Sequence, residues 1–303
     1  MKQAQAISRR QFVQNLAVTG ASLALGRAAQ GAGNAQPWPV IVFSKAFQEL
    51  SYEDTAALVA EVGWDGIECP VRKGGQVVPE RVADDLPRMV EALGKQGRKL
   101  VMMTTDITGA GNPAQVKLLE MASKLGIRHY RLGAVSYTAG KSLGAQIAER
   151  KAALKDLAAV NRDLGLCGGF QNHSGSNTIG APVWDIYEAI RELDPRHLGI
   201  FFDIAHATVE GGYAWTLHAR LMEPYFASVY VKDFAWKKTN RGWNAAWCPL
   251  GEGMVNPAFF QTLKKSAFQG PVSHHLEYPI GQGAERLALL KRDLATLRGW
   301  LAK

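Results

Sequence analysis

The strongest constraint on this chain is an alternation of two residue periods. Short apolar runs recur at 40–44, 66–69, 99–104, 129–132, 166–172, 198–203, 228–232 and 272–277. Continuous runs of this length are strands buried on both faces, the habit of parallel sheets. Between them lie stretches with helical spacing at 52–62, 84–96, 113–125, 144–164, 183–193, 214–222 and 257–266, and a last one at 284–301. Ser51 precedes Tyr52-Glu53-Asp54 as a helix cap, and Gly63, Gly97, Gly126 and Gly165 fall just past helix ends. Eight βα units in about 265 residues predict an α/β fold, a single (β/α)8 TIM barrel over residues 36–303. A doubly wound open sheet is the competing arrangement, but no glycine-rich phosphate fingerprint follows the first strand.

Residues 1–35 have a different character. They hold Lys2, Arg9, Arg10 and Arg27 and no acid, then an apolar run over 12–25 and a small-residue stretch over 28–35. That is the layout of a secretory signal whose apolar part is too short to span a membrane. Ser8-Arg9-Arg10-Gln11-Phe12-Val13 resembles a twin-arginine export signal, with cleavage expected after Ala35 and a periplasmic destination. The whole chain carries 35 Lys+Arg against 27 Asp+Glu, a net charge of +8. Removing the signal leaves 31 basic residues against 27 acidic, or +4, with no Lys/Arg-rich run. Nucleic acid is therefore not an expected partner. Neither is a stable membrane anchor, and the export machinery is the one macromolecular partner implied. Cys69, Cys167 and Cys248 make no disulfide framework and no C-x-x-C pair.

Chemistry in a barrel of this kind sits where the strands end, and polar groups do end these runs. Glu68 closes the second, Thr104-Thr105-Asp106 the third, and Gln171-Asn172-His173 the fifth. Asp203 closes the sixth, with His206 three residues on; Tyr230 and Lys232 belong to the seventh, His275 and Glu277 to the eighth. Alternation along each strand turns Gln171 with His173, Tyr230 with Lys232, and His275 with Glu277 toward one axial region. Gln171, His173, Asp203 and Glu277 make a mixed N/O set suited to Mg²⁺, Mn²⁺, Zn²⁺ or Co²⁺, one divalent metal in all. Glu68 is either a substrate-binding carboxylate or the partner of an arginine such as Arg72. His274 reads as a surface histidine.

The fifth-strand Gln171-Asn172-His173-Ser174-Gly175, the sixth-strand Asp203-Ile204-Ala205-His206, Val231-Lys232-Asp233, Pro249-Leu250-Gly251-Glu252-Gly253 and Glu277 resemble the xylose-isomerase-like barrel superfamily over roughly residues 38–300. The resemblance implies a sugar isomerase or epimerase with one divalent metal, held by a Glu, an Asp, a His and a Glu on strands five to eight. Asp203 and Glu277 fall on two of those places, and His206 on a substrate-contacting one. Gln171 stands in place of the first Glu and Tyr230 in place of the His.

Gln171 cannot carry a proton, which leaves Glu277 as the acid/base, with Lys232 and His206 as helpers. The reaction expected is removal of a proton alpha to a carbonyl, giving a metal-stabilised enediolate. Isomerisation or epimerisation is the first reading. A 3-keto-glycoside lyase, which needs one base, is the second, and a non-catalytic sugar-binding barrel the third. A nuclease of the superfamily's repair branch would need more strand-end histidines. Export favours an unphosphorylated sugar or glycoside, and Trp236, Trp243 and Trp247, in an expected loop over 234–248, suit sugar faces. Trp236 and Trp247 are the ones assigned to substrate.

Overall fold

A computed structural model describes residues 38–240 and 242–302. The proposed export signal at 1–35 lies outside the described residues. In chain order the barrel elements are β1 (Val40–Phe43), α1 (Tyr52–Val62), β2 (Gly66–Pro70), α2 (Val82–Lys95), β3 (Lys99–Thr104), α3 (Pro113–Lys124), β4 (His129–Arg131) and α4 (Leu143–Leu164). They continue with β5 (Cys167–Gln171), α5 (Val183–Ile190), β6 (Leu198–Asp203), α6 (Ile204–Gly211), α7 (Trp215–Met222) and β7 (Phe226–Val231). Then come β8 (Asp233–Thr239), β9 (Gly242–Cys248), α8 (Ala258–Lys265), β10 (Val272–His274) and α9 (Gly283–Ala302). Eight parallel strands close in the order β1-β10-β7-β6-β5-β4-β3-β2, so the expected TIM barrel is present. Among the described residues no helix is long and apolar enough to cross a membrane.

Two separate apolar layers hold the barrel. The larger lies between strands and helices, and includes Trp64, Ile67, Leu86, Phe202, Val229, Phe259 and Leu297. The smaller fills the barrel axis with Ile41, Met102, Cys167, Phe201, Ala227 and Tyr230. Phe201 reaches the axis because β5 carries Gly169 beside it. A Cβ there would stand 1.9 Å from the Phe201 ring, inside any tolerable contact, so the sequence Cys167-Gly168-Gly169 makes room for an aromatic plug under the site.

Three sequence expectations change. The span over 234–248 is not a loop but the antiparallel hairpin β8–β9. Its alternation puts Phe234 opposite Trp247, Trp236 opposite Ala245 and Lys238 opposite Trp243 on one face. β10 is short, so His275 and Glu277 follow the strand end instead of lying within it. His274 is fully buried on the helix side, its Nε2 3.6 Å from Asp293 Oδ2 and its ring 6.0 Å from that of Trp64. An odd step along β10 points outward, and outward in a barrel means under a helix, not into water.

Candidate active site

The mouth of the barrel is organised by one buried carboxylate that does not line the cavity there. Glu68, on β2, is fully enclosed. One oxygen accepts from Thr104 Oγ1 and from Tyr230 OH (2.7 Å), the other from Ser273 Oγ (2.7 Å) and His275 Nε2 (3.0 Å). Burial alone would raise its carboxyl, but the His275 hydrogen bond and the charges of His275 and Arg131 overcome that and bring it to about 2. Glu68 therefore positions β3, β7 and the segment after β10 from below. Its acceptor sites are filled by these four residues, and the charges of Arg72 and Arg131 act on it without a hydrogen bond. Tyr230, in the place where the resemblance expects a histidine ligand, is spent on this network and on the His275 ring, whose centroid is 4.2 Å away.

Above that network lies Lys232. Its side chain is 2% exposed, and its Nζ lies 3.2 Å from Asp203 Oδ2, 3.1 Å from Glu277 Oε1 and 2.8 Å from His206 Nε2. Two carboxylates and an imidazole nitrogen thus surround one ammonium. Asp203 ends β6 and caps α6, accepting from the His206 backbone N–H at 3.0 Å. This cap explains a helix directly after β6, and the helix delivers the His206 ring back over its own N-terminus. Burial pushes His206 down to about 3, with the Lys232 charge in the same direction, so its imidazole is neutral. Its Nε2 faces Lys232 Nζ, while its Nδ1 accepts the Ser174 backbone N–H at 3.2 Å and lies 2.7 Å from Ser174 Oγ.

Asp203 is itself fully buried; burial would raise it, yet the Lys232 charge and the backbone N–H of His206 hold it at about 2. Asn172 ties the two strand ends together, donating to the Asp203 carbonyl (2.9 Å) and accepting from the Asp203 N–H (2.8 Å). Glu277 is the more open carboxylate, with 24% of its side chain exposed. Burial would raise it as well, but His275 and Lys232 keep it well below the usual carboxylate range.

The residues expected to bind a metal do not present four lone pairs to one point. Gln171 turns its amide nitrogen to Asp203 Oδ2 (2.9 Å) and its oxygen to Arg131 Nη1 (2.5 Å), so both ends are engaged. His173 is exposed, its ring lies 3.9 Å from that of His206 at a tilt of 39°, and its Nδ1 faces the Ser174 carbonyl. Asp203 and Glu277 converge on the Lys232 ammonium. Among the described residues no group of three or more His, Cys, Asp or Glu side chains is arranged to hold a metal ion. The donor set does not fit a divalent ion, because a cation of the chain's own already occupies its focus.

A cavity of about 330 Å³ opens beside this cluster, lined by Phe43, Arg72, Arg131, Gln171, His173 and Glu277 among others. Trp247 forms part of the site: its ring lies 4.4 Å from Lys232 Nζ and meets His206 edge-on at 5.1 Å. Trp236, 43% exposed, shares its hairpin face but stands farther out, beside Trp243 over a separate shallow hollow. Asp233 holds the hairpin in place, its carboxylate accepting backbone N–H groups from Phe234, Gly251, Gly253 and Val255 at 2.9–3.1 Å. That accounts for the Lys232-Asp233 and Pro249–Gly253 motifs together. Arg131 and Arg72 were missed in the sequence. The observed strand β4 ends at Arg131, one residue short of the apolar run over 129–132, which closes on Leu132.

A family model described as xylose isomerase-like TIM barrel matches residues 56–300. The chain belongs to that family. Among curated proteins no sequence matches this family member significantly. Solved structures do. A 3-keto-D-glucoside 4-epimerase from E. coli is 16% identical with a TM-score of 0.66, over 86% of this chain and 99% of that one. A D-tagatose 3-epimerase-like protein is 17% identical with a TM-score of 0.65, over 87% and 97%. A probable 3-DHS dehydratase from Bacillus anthracis is 16% identical with a TM-score of 0.62, over 86% and 98%. At these identities the likeness is one of fold.

Proposed function

We propose that this family member is a sugar-modifying enzyme, exported to the periplasm, that removes a proton alpha to a carbonyl of an unphosphorylated sugar with a single carboxylate base. One observation carries the reading: Glu277 is the one carboxylate lining the cavity among the described residues, and it is hydrogen-bonded to an ammonium. Glu68 and Asp203 are sealed beneath the floor. The epimerase and dehydratase names borne by proteins of the same fold agree with this chemistry, since both reaction types begin at the carbon beside a carbonyl.

The residues present do the following. A sugar carbonyl oxygen seated beside Lys232 receives a hydrogen bond from the ammonium, which polarises it toward enolate. Glu277 accepts the proton from the adjacent carbon. Its proton affinity is low at rest because Lys232 and His275 stabilise its charge. As negative charge moves to the carbonyl oxygen, Lys232 turns its donor from Glu277 to that oxygen, and Glu277 becomes a better base at the moment it is needed. Asp203 and neutral His206 keep the ammonium in place, and Trp247 covers it from water. This departs from the metal-stabilised enediolate expected from the sequence: the Lys232 charge supplies the stabilisation.

With Gln171 in that place, no second carboxylate lines the cavity among the described residues, so one-base outcomes, β-elimination or 1,2-isomerisation, fit better than epimerisation by a carboxylate pair. The test is incubation with a 3-keto-glucoside and with free aldoses and ketoses in D₂O. Expected is aglycone release, or deuterium entering the carbon beside the carbonyl, abolished by Glu277→Gln. No exchange and no release with any of these sugars, by an enzyme that binds them, would reduce the protein to a sugar-binding barrel.

A further inference from the structure

The wall of the cavity away from Lys232 is cationic in a way that proton abstraction does not require. Arg72 and Arg131 both lie over the Phe43 ring, with Cζ 5.9 and 5.7 Å from its centroid, and Lys45 stands at the same wall. Among the described residues neither guanidinium has a carboxylate within 4.0 Å, and the Arg72 side chain donates no hydrogen bond. Arg131 uses one N–H on Gln171, while its enclosed Nε has no partner. Burial, and then the neighbouring Arg131 charge, pull Arg72 below the usual arginine range. Asp106 and Glu68 act on these guanidiniums only from beyond ion-pair distance, so two half-buried cations that repel one another leave a place for an anion in direct contact.

We propose that the sugar bound here carries a carboxylate, held between Arg72 and Arg131, so that the substrate is a uronate-type sugar acid. This rests on the preceding reading for the sugar and its carbonyl; the anion follows from the arginines alone. A planar carboxylate matches the guanidinium fork, and a monoanion is repelled less than a phosphate dianion by Glu277 across a small cavity. The arrangement also explains Gln171. Arg131, Gln171, Asp203 and Lys232 form one hydrogen-bonded and ionic chain across the mouth. A glutamate at 171 would neutralise Arg131, whereas the neutral amide orients it and leaves its charge for the ligand. The same chain fixes the span from carboxylate to reacting carbonyl.

Titration calorimetry of the full protein with D-glucuronate, D-glucose and D-glucose 6-phosphate decides the matter. Expected is tighter binding of glucuronate than of either other sugar. Arg72→Gln, Arg131→Gln and Gln171→Glu should each weaken glucuronate by roughly 10- to 100-fold, as loss of a charge-assisted bond does. Arg72→Lys, which keeps a point charge on a half-exposed side chain, should recover part of the loss. Equal affinity for glucose, preference for the phosphate, or glucuronate binding indifferent to both arginines overturns the assignment. Arginine-dependent glucuronate binding without deuterium exchange would support the carboxylate site and remove the enolising reading. Exchange into neutral sugars, with affinities blind to the arginines, would do the reverse.

Discussion

Substituting Lys232 by methionine removes the one ammonium shared by Asp203, Glu277 and His206 while keeping the length and apolar body of the side chain. Asp203 is fully buried and is drawn from 3.8 to about 2 chiefly against burial, by the Lys232 charge first and then by His206. A lowered pKa contributes stability that is present above the unfolded value and lost as the pH falls through the folded one. For the native protein that window lies between about pH 4 and pH 2, and at about 1.4 kcal/mol per unit the Asp203 contribution is of order 2 kcal/mol. Without Lys232 the burial cost is opposed only by weaker partners, and the carboxyl rises above its unfolded value. Its sign then reverses: the contribution is present at low pH and is lost as the pH climbs. Breaking a buried ion pair from one side costs about 3–5 kcal/mol when the survivor stays charged. Lys232→Met is therefore expected to destabilise by that amount near neutral pH. At about pH 4 the loss should be much smaller, because Asp203 can then be protonated. Urea unfolding at the two pH values, followed by tryptophan fluorescence, measures both. A loss of the same size at each would show that Lys232 acts through packing, and the account of the mouth as an ammonium-centred cluster would be wrong.

Four other outcomes follow from the same geometry. Glu277→Gln should lower α-proton exchange at least about 100-fold while the protein stays folded, because the amide keeps a contact to Lys232 but cannot take a proton; exchange at the native rate would move the base elsewhere. Purified protein should carry no stoichiometric Mn, Mg, Zn or Co by elemental analysis and should keep its exchange activity in EDTA, whereas a metal lost on Asp203→Ala would displace Lys232 from the role given to it. Tyr230→Phe removes one of four donors to the buried Glu68 carboxylate and should cost about 1.5–3 kcal/mol in denaturant unfolding, with little change in sugar affinity. Arg9→Lys together with Arg10→Lys should retain the precursor in the cytoplasm, as cell fractionation will reveal; normal export of that variant would exclude a twin-arginine route.

The barrel was legible because its strands are buried on both faces and its helices on one, so two periods alternate without interruption. The site was legible in part for the same reason. Each polar residue that ends an apolar run has nowhere to go but the mouth, and Asp203, Lys232, His206 and Glu277 were reached that way, whereas Trp247 came from the tryptophans of a span expected to be a loop. What the linear pattern does not carry is which polar groups at the mouth satisfy one another. Glu68 and Asp203 look alike as strand-end acids, yet one is closed off by Thr104, Tyr230, Ser273 and His275 and the other meets a cation. That difference depends on which strands are neighbours and on side chains contributed from up to 207 positions away.

The departures from the family pattern become one argument once those contacts are known. Tyr230 in place of the expected histidine gives Glu68 a donor and removes an imidazole from the mouth. Gln171 in place of the expected glutamate removes a negative charge and orients Arg131 instead of neutralising it. Each substitution alone would weaken a metal site. Together they leave two carboxylates and a neutral imidazole around one ammonium, which holds the focus of the set and offsets one of its two negative charges. Among the described residues the guanidinium of Arg131 then has no carboxylate within ion-pair distance, and a sugar acid is the ligand that would supply one.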